Sequence, residues 1–302
     1  MVDVCLLGCG GMLPLHDRYL TSLIISYKGR KLLIDCGEGT QMTLRASKSG
    51  FKTIDTICIT HYHADHISGI VGVLLGIANS GRKEPLTIIG PVGLESVISG
   101  LIVIAPELPF DINLVELPEN KSVITVGGYI VHSIQLDHSI NCVGYKIEIK
   151  RDRKFDKYKA ECLGVPKEIW NKLRKEENVN YKGKLYTSDM VLGEERKGIN
   201  ISYITDTRPF DDLIEFIEES DLFICEGMYG NDEDFEKAVD KKHMTFRESA
   251  YLAKSANVKE LWLTHYSPAL TDPENYIKNA NEVFQNSVLG EDRLRKTLYF
   301  DR

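Results

Sequence analysis

The chain has 302 residues, of which 43% are hydrophobic and 27% are charged, a balance typical of a soluble globular protein. Its formal net charge of −7 argues against general coating of nucleic acid, but it leaves room for a local basic patch. No apolar run approaches the roughly 20 residues that a membrane-spanning helix requires. We therefore expect no membrane partner, and we expect no DNA partner either.

The cysteine content predicts a cytoplasmic protein. The seven cysteines are scattered, odd in number and mostly set in apolar strands, and no Cys-x-x-Cys motif occurs. Reduced, buried thiols are the favoured interpretation. The segment 1–7 carries an acid and lacks a basic region, which argues against a secretory signal.

The predicted elements suggest two stacked sheets with helices outside them. Strands dominate the first half of the chain, whereas strands and helices alternate in the second half. In chain order we predict strands at 3–8, 21–27, 31–36, 54–60, 86–90, 112–117, 123–126, 128–136, 142–149, 200–205, 221–225, 259–264 and 297–300, and helices at 41–48, 67–78, 91–100, 209–219, 245–256 and 273–286.

The segment 61–66 places four metal-ligand side chains in six residues, directly after a strand and before a helix. Side chains two residues apart in an extended segment point the same way, so His61 and His63 can converge on one ion. Asp65 and His66 lie beyond a change of direction, so two adjacent ion sites are a better interpretation than one. A merely hydrogen-bonded polar loop is the alternative, and it suits an isolated histidine better than this cluster.

Three further candidate ligands follow predicted strands. His138, Asp206 and His265 each stand behind an apolar run, so they can share a sheet edge with the first cluster. We predict that His61, His63 and His138 bind a first ion. Asp65, His66 and His265 would bind a second, with Asp206 bridging the two. His132 lies inside a strand and is better explained as a core or surface histidine.

Zinc suits this ligand set because Zn²⁺ accepts mixed imidazole and carboxylate ligands and has no redox chemistry. Two such ions lie about 3.5–4 Å apart and can hold a hydroxide between them, which is a nucleophile at neutral pH. Mn²⁺ or Fe²⁺ in the same ligands is the alternative.

A basic insertion interrupts the second half of the chain. Residues 146–184 hold 13 Lys or Arg against 7 Asp or Glu, a local balance of +6 on an otherwise acidic body. One hypothesis is a phosphate-binding arm for nucleic acid, centred on residues 151–184. The other is a solvated helical hairpin with ordinary surface charge.

Together these motifs resemble the metallo-β-lactamase superfamily and, within it, the ribonuclease Z family of tRNA 3′-processing endoribonucleases. Local matches to that family are Thr205–Pro209, His243–Thr245 before a helix, and the charged insertion. The resemblance implies one αββα domain over residues 1–302, with 151–184 as an arm that binds precursor tRNA. It also implies a homodimer.

The resemblance further implies residue roles. Asp65 would act as general base as well as ligand, His243 would protonate the leaving 3′ oxygen, and Glu226 would orient His243. Asp35 also belongs to the family's motifs, and it would support a metal ligand rather than bind the metal itself. For His243 the alternative is a neighbour of the helix cap, with Thr245 doing the capping.

Several family motifs are altered, and this keeps other functions open. The sequence departs from the family's usual motifs at residues 14–19, 225–228 and 265–270, and at residues 164–168 in the arm. One alternative function is a phosphodiesterase or esterase of the same fold that acts on a small molecule such as a cyclic nucleotide. Another is a non-catalytic RNA-binding protein with a lapsed metal site. The complete ligand set argues against the second of these.

The turn at residues 8–11 contains three glycines. It superficially matches a dinucleotide-binding loop, but strand-like sequence rather than a helix follows it from about residue 20. We therefore interpret it as a tight turn on the rim of the active site.

Overall fold

The computed structural model describes residues 1–105, 107–175 and 177–301. Two seven-stranded sheets form the main unit. The strands of the first sheet are β1 (Val2–Gly8), β2 (Ser22–Tyr27), β3 (Arg30–Ile34), β4 (Ile54–Cys58), β5 (Leu86–Gly90), β6 (Ile112–Glu116) and β16 (Arg295–Leu298). They lie in the order β16-β1-β2-β3-β4-β5-β6.

The second sheet is built from the later part of the chain. Its strands are β7 (Ser122–Val126), β8 (Tyr129–Gln135), β9 (Val143–Arg151), β12 (Arg196–Ile204), β13 (Leu222–Glu226), β14 (Leu261–Thr264) and β15 (Ser287–Leu289). They lie in the order β15-β14-β13-β12-β9-β8-β7. Strands β12 to β15 pair in parallel, whereas β7, β8 and β9 pair antiparallel. The first sheet is mixed as well, because β3 to β6 are parallel and β16 to β3 are antiparallel.

Helices cover the sheets, as the sequence predicts. They are α1 (Thr40–Ala46), α2 (Ala64–Ile67), α3 (Ile70–Asn79), α4 (Leu94–Leu101), α7 (Asp211–Ile217), α8 (Phe235–Lys241), α9 (Phe246–Ser255) and α10 (Ile277–Asn281). The apolar core under α1, α3 and α4 includes Ile24, Leu33, Leu74 and Ile98. The prediction of two mixed sheets flanked by helices is confirmed. Within the described residues, none of the helices is both long and apolar enough to cross a bilayer.

The helix predicted over 67–78 is divided into α2 and α3. Gly69 stands at the break, and a Cβ there would lie 2.2 Å from the carbonyl oxygen of Gly37. The backbone N–H of Gly69 donates to Cys36 O at 2.8 Å. This close approach to the segment after β3 ends α2 early, so Asp65 and His66 lie within the single turn of a very short helix.

Residues 150–198, together with residues 300 and 301, form a second compact unit. It contains α5 (Lys157–Cys162), α6 (Trp170–Leu173) and a hairpin of β10 (Val179–Tyr181) and β11 (Lys184–Tyr186). A small apolar core holds it together: Ala160, Val165, Ile169, Leu173, Tyr186, Val191 and Leu192. Three of these seven side chains, Tyr186, Val191 and Leu192, come from the β-hairpin and the residues after it, so the insertion contains more than a helical hairpin. Residue 176 of the predicted arm lies outside the described residues.

Candidate metal centre

The predicted site residues meet at one edge of the two sheets, where the carboxyl ends of several strands come together. His61 and His63 follow β4, and Asp65 and His66 lie in α2. From the second sheet come His138 after β8, Asp206 after β12 and His265 after β14. Both sheets thus contribute side chains to one cluster.

The first predicted ligand set is compact. His63 Nδ1 lies 3.0 Å from His61 Nε2 and 3.3 Å from His138 Nε2. The three ring nitrogens therefore lie close enough to one another to face a common point. His61 is fully buried, whereas His63 and His138 are partly exposed, so this set lies nearer to solvent.

The second predicted set is equally close. His66 Nε2 lies 3.1 Å from His265 Nε2, and Asp65 Oδ2 lies 3.6 Å and 3.4 Å from these two nitrogens. All three side chains are buried. The backbone N–H of Met12 donates to Asp65 Oδ2 at 2.6 Å and so fixes the carboxylate from the other side.

Asp206 lies between the two sets. Its Oδ1 is 3.9 Å from His61 Nε2 and 3.8 Å from His138 Nε2. Its Oδ2 is 3.2 Å from His66 Nε2 and 3.4 Å from His265 Nε2. Each carboxylate oxygen of Asp206 therefore faces one of the two sets.

These donor atoms fit a divalent cation. Oδ2 of Asp206 is buried and has no hydrogen-bond partner among the described residues, although it lies beside two imidazole nitrogens. A buried acceptor without a donor is costly, and a cation would satisfy it. Several overlapping groups of three imidazole or carboxylate side chains occur here, and in each group the ligand atoms lie within 4.8 Å of one another. Clusters of His and Asp side chains this close together are typical of metal-binding sites.

Asp35 orients His66 from behind. His66 Nδ1 lies 2.8 Å from Asp35 Oδ2, and since the carboxylate is the acceptor, Nδ1 carries the proton and Nε2 is free to bind a metal. The Thr60 N–H also donates to Asp35 Oδ1 at 2.8 Å. Burial raises the pKa of Asp35, and the bonds from His66 and Thr60 oppose that rise.

His243 lies beside both ligand sets, and Glu226 holds it. Its ring centroid is 5.4 Å from that of His138 and 5.5 Å from that of His265. His243 Nδ1 lies 3.0 Å from Glu226 Oε2. Burial disfavours the imidazolium, but the Glu226 carboxylate outweighs it and raises the pKa of His243 to about 9.

Glu226 also connects the loops around it. Its Oε1 accepts from the Thr207 N–H at 2.6 Å, and its Oε2 accepts from the Met244 N–H at 3.0 Å. Thr245 caps α9 through a capping box, as the alternative for this segment predicts, and the catalytic role of His243 stays a prediction.

Sequence reasoning missed the residues that hold the loop 9–19 against the centre. Asp292 accepts from the Cys9 N–H at 3.1 Å through Oδ1 and from the Tyr19 N–H at 2.8 Å through Oδ2, so it joins both ends of the loop. A Cβ on Gly11 would lie 2.7 Å from the ring of His265, which agrees with the interpretation of this turn as an active-site rim. Nothing in the local sequence around Asp292 signals this contact.

His132 lies apart from the centre, as its place inside a strand suggests. It is in β8, and its Nε2 lies 3.0 Å from Glu148 Oε2 on the neighbouring strand β9.

Comparison with known proteins places the chain among enzymes of this architecture. A protein named Ribonuclease Z from Clostridium acetobutylicum is 56% identical over 307 residues, covering 100% of this chain and 99% of that protein. A family profile described as Anti-Pycsar protein Apyc1 matches residues 2–94, less than a third of the chain.

Two solved structures show the fold. The metallo-β-lactamase fold protein YhfI from Bacillus subtilis has a TM-score of 0.71 at 20% identity, with 98% of each chain covered. The short form of human tRNase Z has a TM-score of 0.71 at 24% identity, with 99% of this chain and 100% of that chain covered. The predicted metallo-β-lactamase fold is confirmed.

Proposed function

The chain belongs to the ribonuclease Z family, and from that premise we propose that it is a metal-dependent endoribonuclease that removes the 3′ trailer from precursor tRNA. The observation that carries the proposal is the pair of ligand sets joined by Asp206. Such a centre suits hydrolysis of a phosphodiester, in which negative charge develops on several oxygens at once.

We propose that the centre holds two Zn²⁺ ions in each subunit. His61, His63 and His138 would hold one ion, Asp65, His66 and His265 would hold the other, and Asp206 would bridge them. When bound, the ions lower the pKa of water and stabilise charge on the phosphoryl oxygens. The mixed imidazole and carboxylate donors favour zinc, and Mn²⁺ or Fe²⁺ is the alternative.

Asp65 is the proposed general base as well as a ligand. Burial raises its pKa, but a hydrogen bond with His265 and the charge of His66 more than offset this effect and hold the pKa of Asp65 well below its usual range. The carboxylate is therefore ionised at neutral pH, as a metal ligand must be. A low pKa makes it a weak proton acceptor, so its proposed role as base rests on the family resemblance and not on this shift. The Met12 N–H keeps Oδ2 in place.

His243 is the proposed general acid. Because Glu226 raises its pKa to about 9, the imidazole is protonated at neutral pH and can give a proton to the departing 3′ oxygen. Glu226 also bonds to the backbone on either side, at Thr207 and Met244, so the ring has a fixed position. We assign Glu226 and Asp35 to positioning, respectively of His243 and His66.

We further propose that residues 151–184 are a tRNA-binding arm of the single domain 1–302. The +6 balance of the basic segment and its own small core support a stable, positively charged unit. A homodimer, in which the arm of one subunit serves the other, and a cytoplasmic location complete the proposal. Six of the seven cysteines are buried free thiols, which suits a reducing compartment.

The direct test is to incubate metal-loaded protein with a 3′-extended precursor tRNA and with a small chromogenic phosphodiester. We expect precise removal of the trailer. If the small diester is cleaved while the trailer stays attached, the tRNA assignment is wrong and the hydrolytic centre stands, as the small-molecule alternative requires.

The arm is tested by neutralising three of its exposed lysines in a Lys172→Gln, Lys175→Gln, Lys184→Gln variant. Phosphate contacts contribute about one unit each to the salt dependence of binding, so we expect KM for tRNA to rise and the slope of log KM against log salt to fall by up to about three. Turnover of the small diester should not change.

A matched control neutralises three exposed lysines of the main unit: Lys83, Lys254 and Lys278. Equal losses in both triple variants would contradict a specific role for the arm.

A further inference from the structure

A cavity of about 380 Å³ lies on the outer face of the first sheet. Two cross-strand rows form its floor. Arg295, Cys5 and Ile24 make one row, and Thr297, Asp3, Ser26 and Lys31 make the next. These residues lie near the start of β1 and β3, whereas the metal ligands gather where the strands end. We call this space the outer-face cavity.

Two cations converge on one short segment beside the outer-face cavity. Lys31 Nζ donates to Ser49 O and, at 2.8 Å, to Thr53 Oγ1. Nη2 of Arg295 donates to Ser47 O and lies 3.4 Å from Ser49 Oγ. Both positive charges therefore meet at the segment that follows α1. Lys48 adds a third, exposed cation to the cavity wall.

Acidic residues do not balance these charges. Across the described parts of the chain, no carboxylate oxygen lies within 4.0 Å of the charged groups of Lys31 or Arg295. Asp3 lines the cavity, but it accepts a hydrogen bond from Thr297 Oγ1 at 2.6 Å and forms no ion pair with either cation. Burial lowers the pKa of Lys31, and no acid counteracts that effect.

The end of α1 explains only part of this arrangement. Lys31 and Arg295 contact carbonyl groups at and just beyond the C-terminal end of α1, a common way to satisfy such groups. A helix C-terminus carries about half a negative charge, however, against two full positive charges. The contacts to Ser47 and Ser49 also use only Nη2 of Arg295, so the rest of the guanidinium remains available.

We propose that the outer-face cavity binds a phosphate group, with Lys31 and Arg295 as its cationic ligands. A guanidinium matches the geometry of a phosphate, and a nearby ammonium supplies a second charge. The hydroxyls of Ser26 and Ser49 line the same space. Its volume exceeds that of a bare phosphate and falls in the range of small-ligand sites, and Cys5 and Ile24 give it an apolar floor. The ligand is therefore either a small organic phosphate or a phosphate of bound RNA.

The test uses inorganic phosphate as the probe, titrated against chloride at constant ionic strength. The readouts are thermal stability and the NMR shifts of the backbone amides at 47–50. Wild-type protein and a Lys31→Gln, Arg295→Gln variant, both metal-loaded, are compared so that phosphate binding at the metal centre contributes equally. We expect the amide shifts to saturate in the wild type and the affinity to fall at least about tenfold in the variant.

A control variant, Lys83→Gln with Lys254→Gln, removes two exposed charges elsewhere and should bind phosphate as the wild type does. A Lys31→Arg, Arg295→Lys variant keeps both charges and guards against a folding defect, so it should retain binding. An identical phosphate response in the wild type and the Gln double variant would overturn the proposal.

Cleavage of precursor tRNA by the same variants identifies the source of the phosphate. A KM that rises only in the Lys31→Gln, Arg295→Gln variant indicates a phosphate of RNA. An unchanged KM with lost phosphate binding indicates a free organic phosphate. The metal centre is the same in all these variants, because neither residue lies near the proposed ligands, so a change in KM reports on the outer-face cavity.

Discussion

Three side chains of the candidate centre sit on a left-handed backbone just after a strand. The φ angles are 58° at Asp35, 54° at Asp206 and 59° at His265. For residues other than glycine this conformation costs about 1–2 kcal/mol each, and it is found mostly where function requires it. The sharp turn lets each side chain leave the sheet edge and point at the centre. Sequence patterns identified these residues as candidates, but they do not reveal the backbone conformation.

Asp206 faces both proposed ligand sets. An Asp206→Asn substitution replaces one oxygen with an amide group and removes the negative charge between four imidazoles. We expect the amount of bound metal to fall. We also expect the rate of tRNA cleavage to drop by more than about 100-fold, because loss of a residue that only supports the ligands already costs up to about 100-fold. Elemental analysis and a cleavage assay measure these effects. Asp137→Asn, at a nearby exposed acid, serves as the control and should keep its metal.

Glu226 should set the alkaline limit of activity through His243. Because the pKa of His243 is raised to about 9, the protonated acid is present at neutral pH and is lost as the pH rises through about 9. Glu226→Gln removes the main source of that rise, so the alkaline limb of the pH–kcat profile should move to lower pH by about one unit or more. An unmoved limb in a folded, metal-loaded variant would contradict the role assigned to His243.

At the scale of elements, the strands were easier to predict than the helices. Apolar, β-branched runs bounded by turns indicated most strands of both sheets, because buried strands have a distinctive composition. The short elements α8 and β15 were missed, since seven and three residues carry little periodic signal. The predicted strand 297–300 is shifted, and the strand itself is Arg295–Leu298.

The candidate centre was predicted more completely than its supports. Strand ends can be placed on one edge from sequence, so the seven proposed ligands could be named in advance. Contacts such as Asp292 with the loop 9–19 depend on two segments about 280 residues apart in the chain. Only the folded topology, in which β16 lies next to β1, brings them together.

The loop 9–19 offers an element-scale prediction. Asp292→Ala leaves the N–H groups of Cys9 and Tyr19 without their acceptor and frees both ends of the loop, which costs about 1–3 kcal/mol of stability for a buried group. Because the loop positions Asp65 through Met12 N, kcat should fall about 10- to 100-fold with a smaller change in KM. Urea denaturation and steady-state kinetics measure both effects.

The control is Asp272→Ala, at an exposed acid whose carboxylate, among the described residues, accepts only from the neighbouring Thr271 hydroxyl. It should leave kcat unchanged. A loss of stability in Asp292→Ala without any loss of kcat would show that the loop does not position Asp65.

At the scale of the molecule, the proposed ligands tie the two sheets together. Residues 61–66 belong to the first sheet's connections, whereas His138, Asp206 and His265 extend from the second sheet. Ions bound between them would act as cross-links that exist only in the folded state.

Metal removal should therefore destabilise the whole domain. Binding at 1,000 times Kd stabilises a fold by about 4 kcal/mol, so chelation should lower Tm by at least about 5 °C. Calorimetry with and without a chelator measures the shift, and re-addition of Zn²⁺ should reverse it. The Asp206→Asn variant should respond much less, and an equal response would contradict the cross-link.

The shared carboxylate of Asp206 also bears on stoichiometry. With one oxygen directed at each ligand set, a single anion would be divided between the two proposed cations. The first ion to bind would meet an unshared carboxylate, whereas the second would share a carboxylate that is already bound. Occupancy of the two positions would thus be coupled, and activity should follow the metal-to-protein ratio along a curve rather than a straight line. A sample given one equivalent of metal would not behave as half of a saturated one.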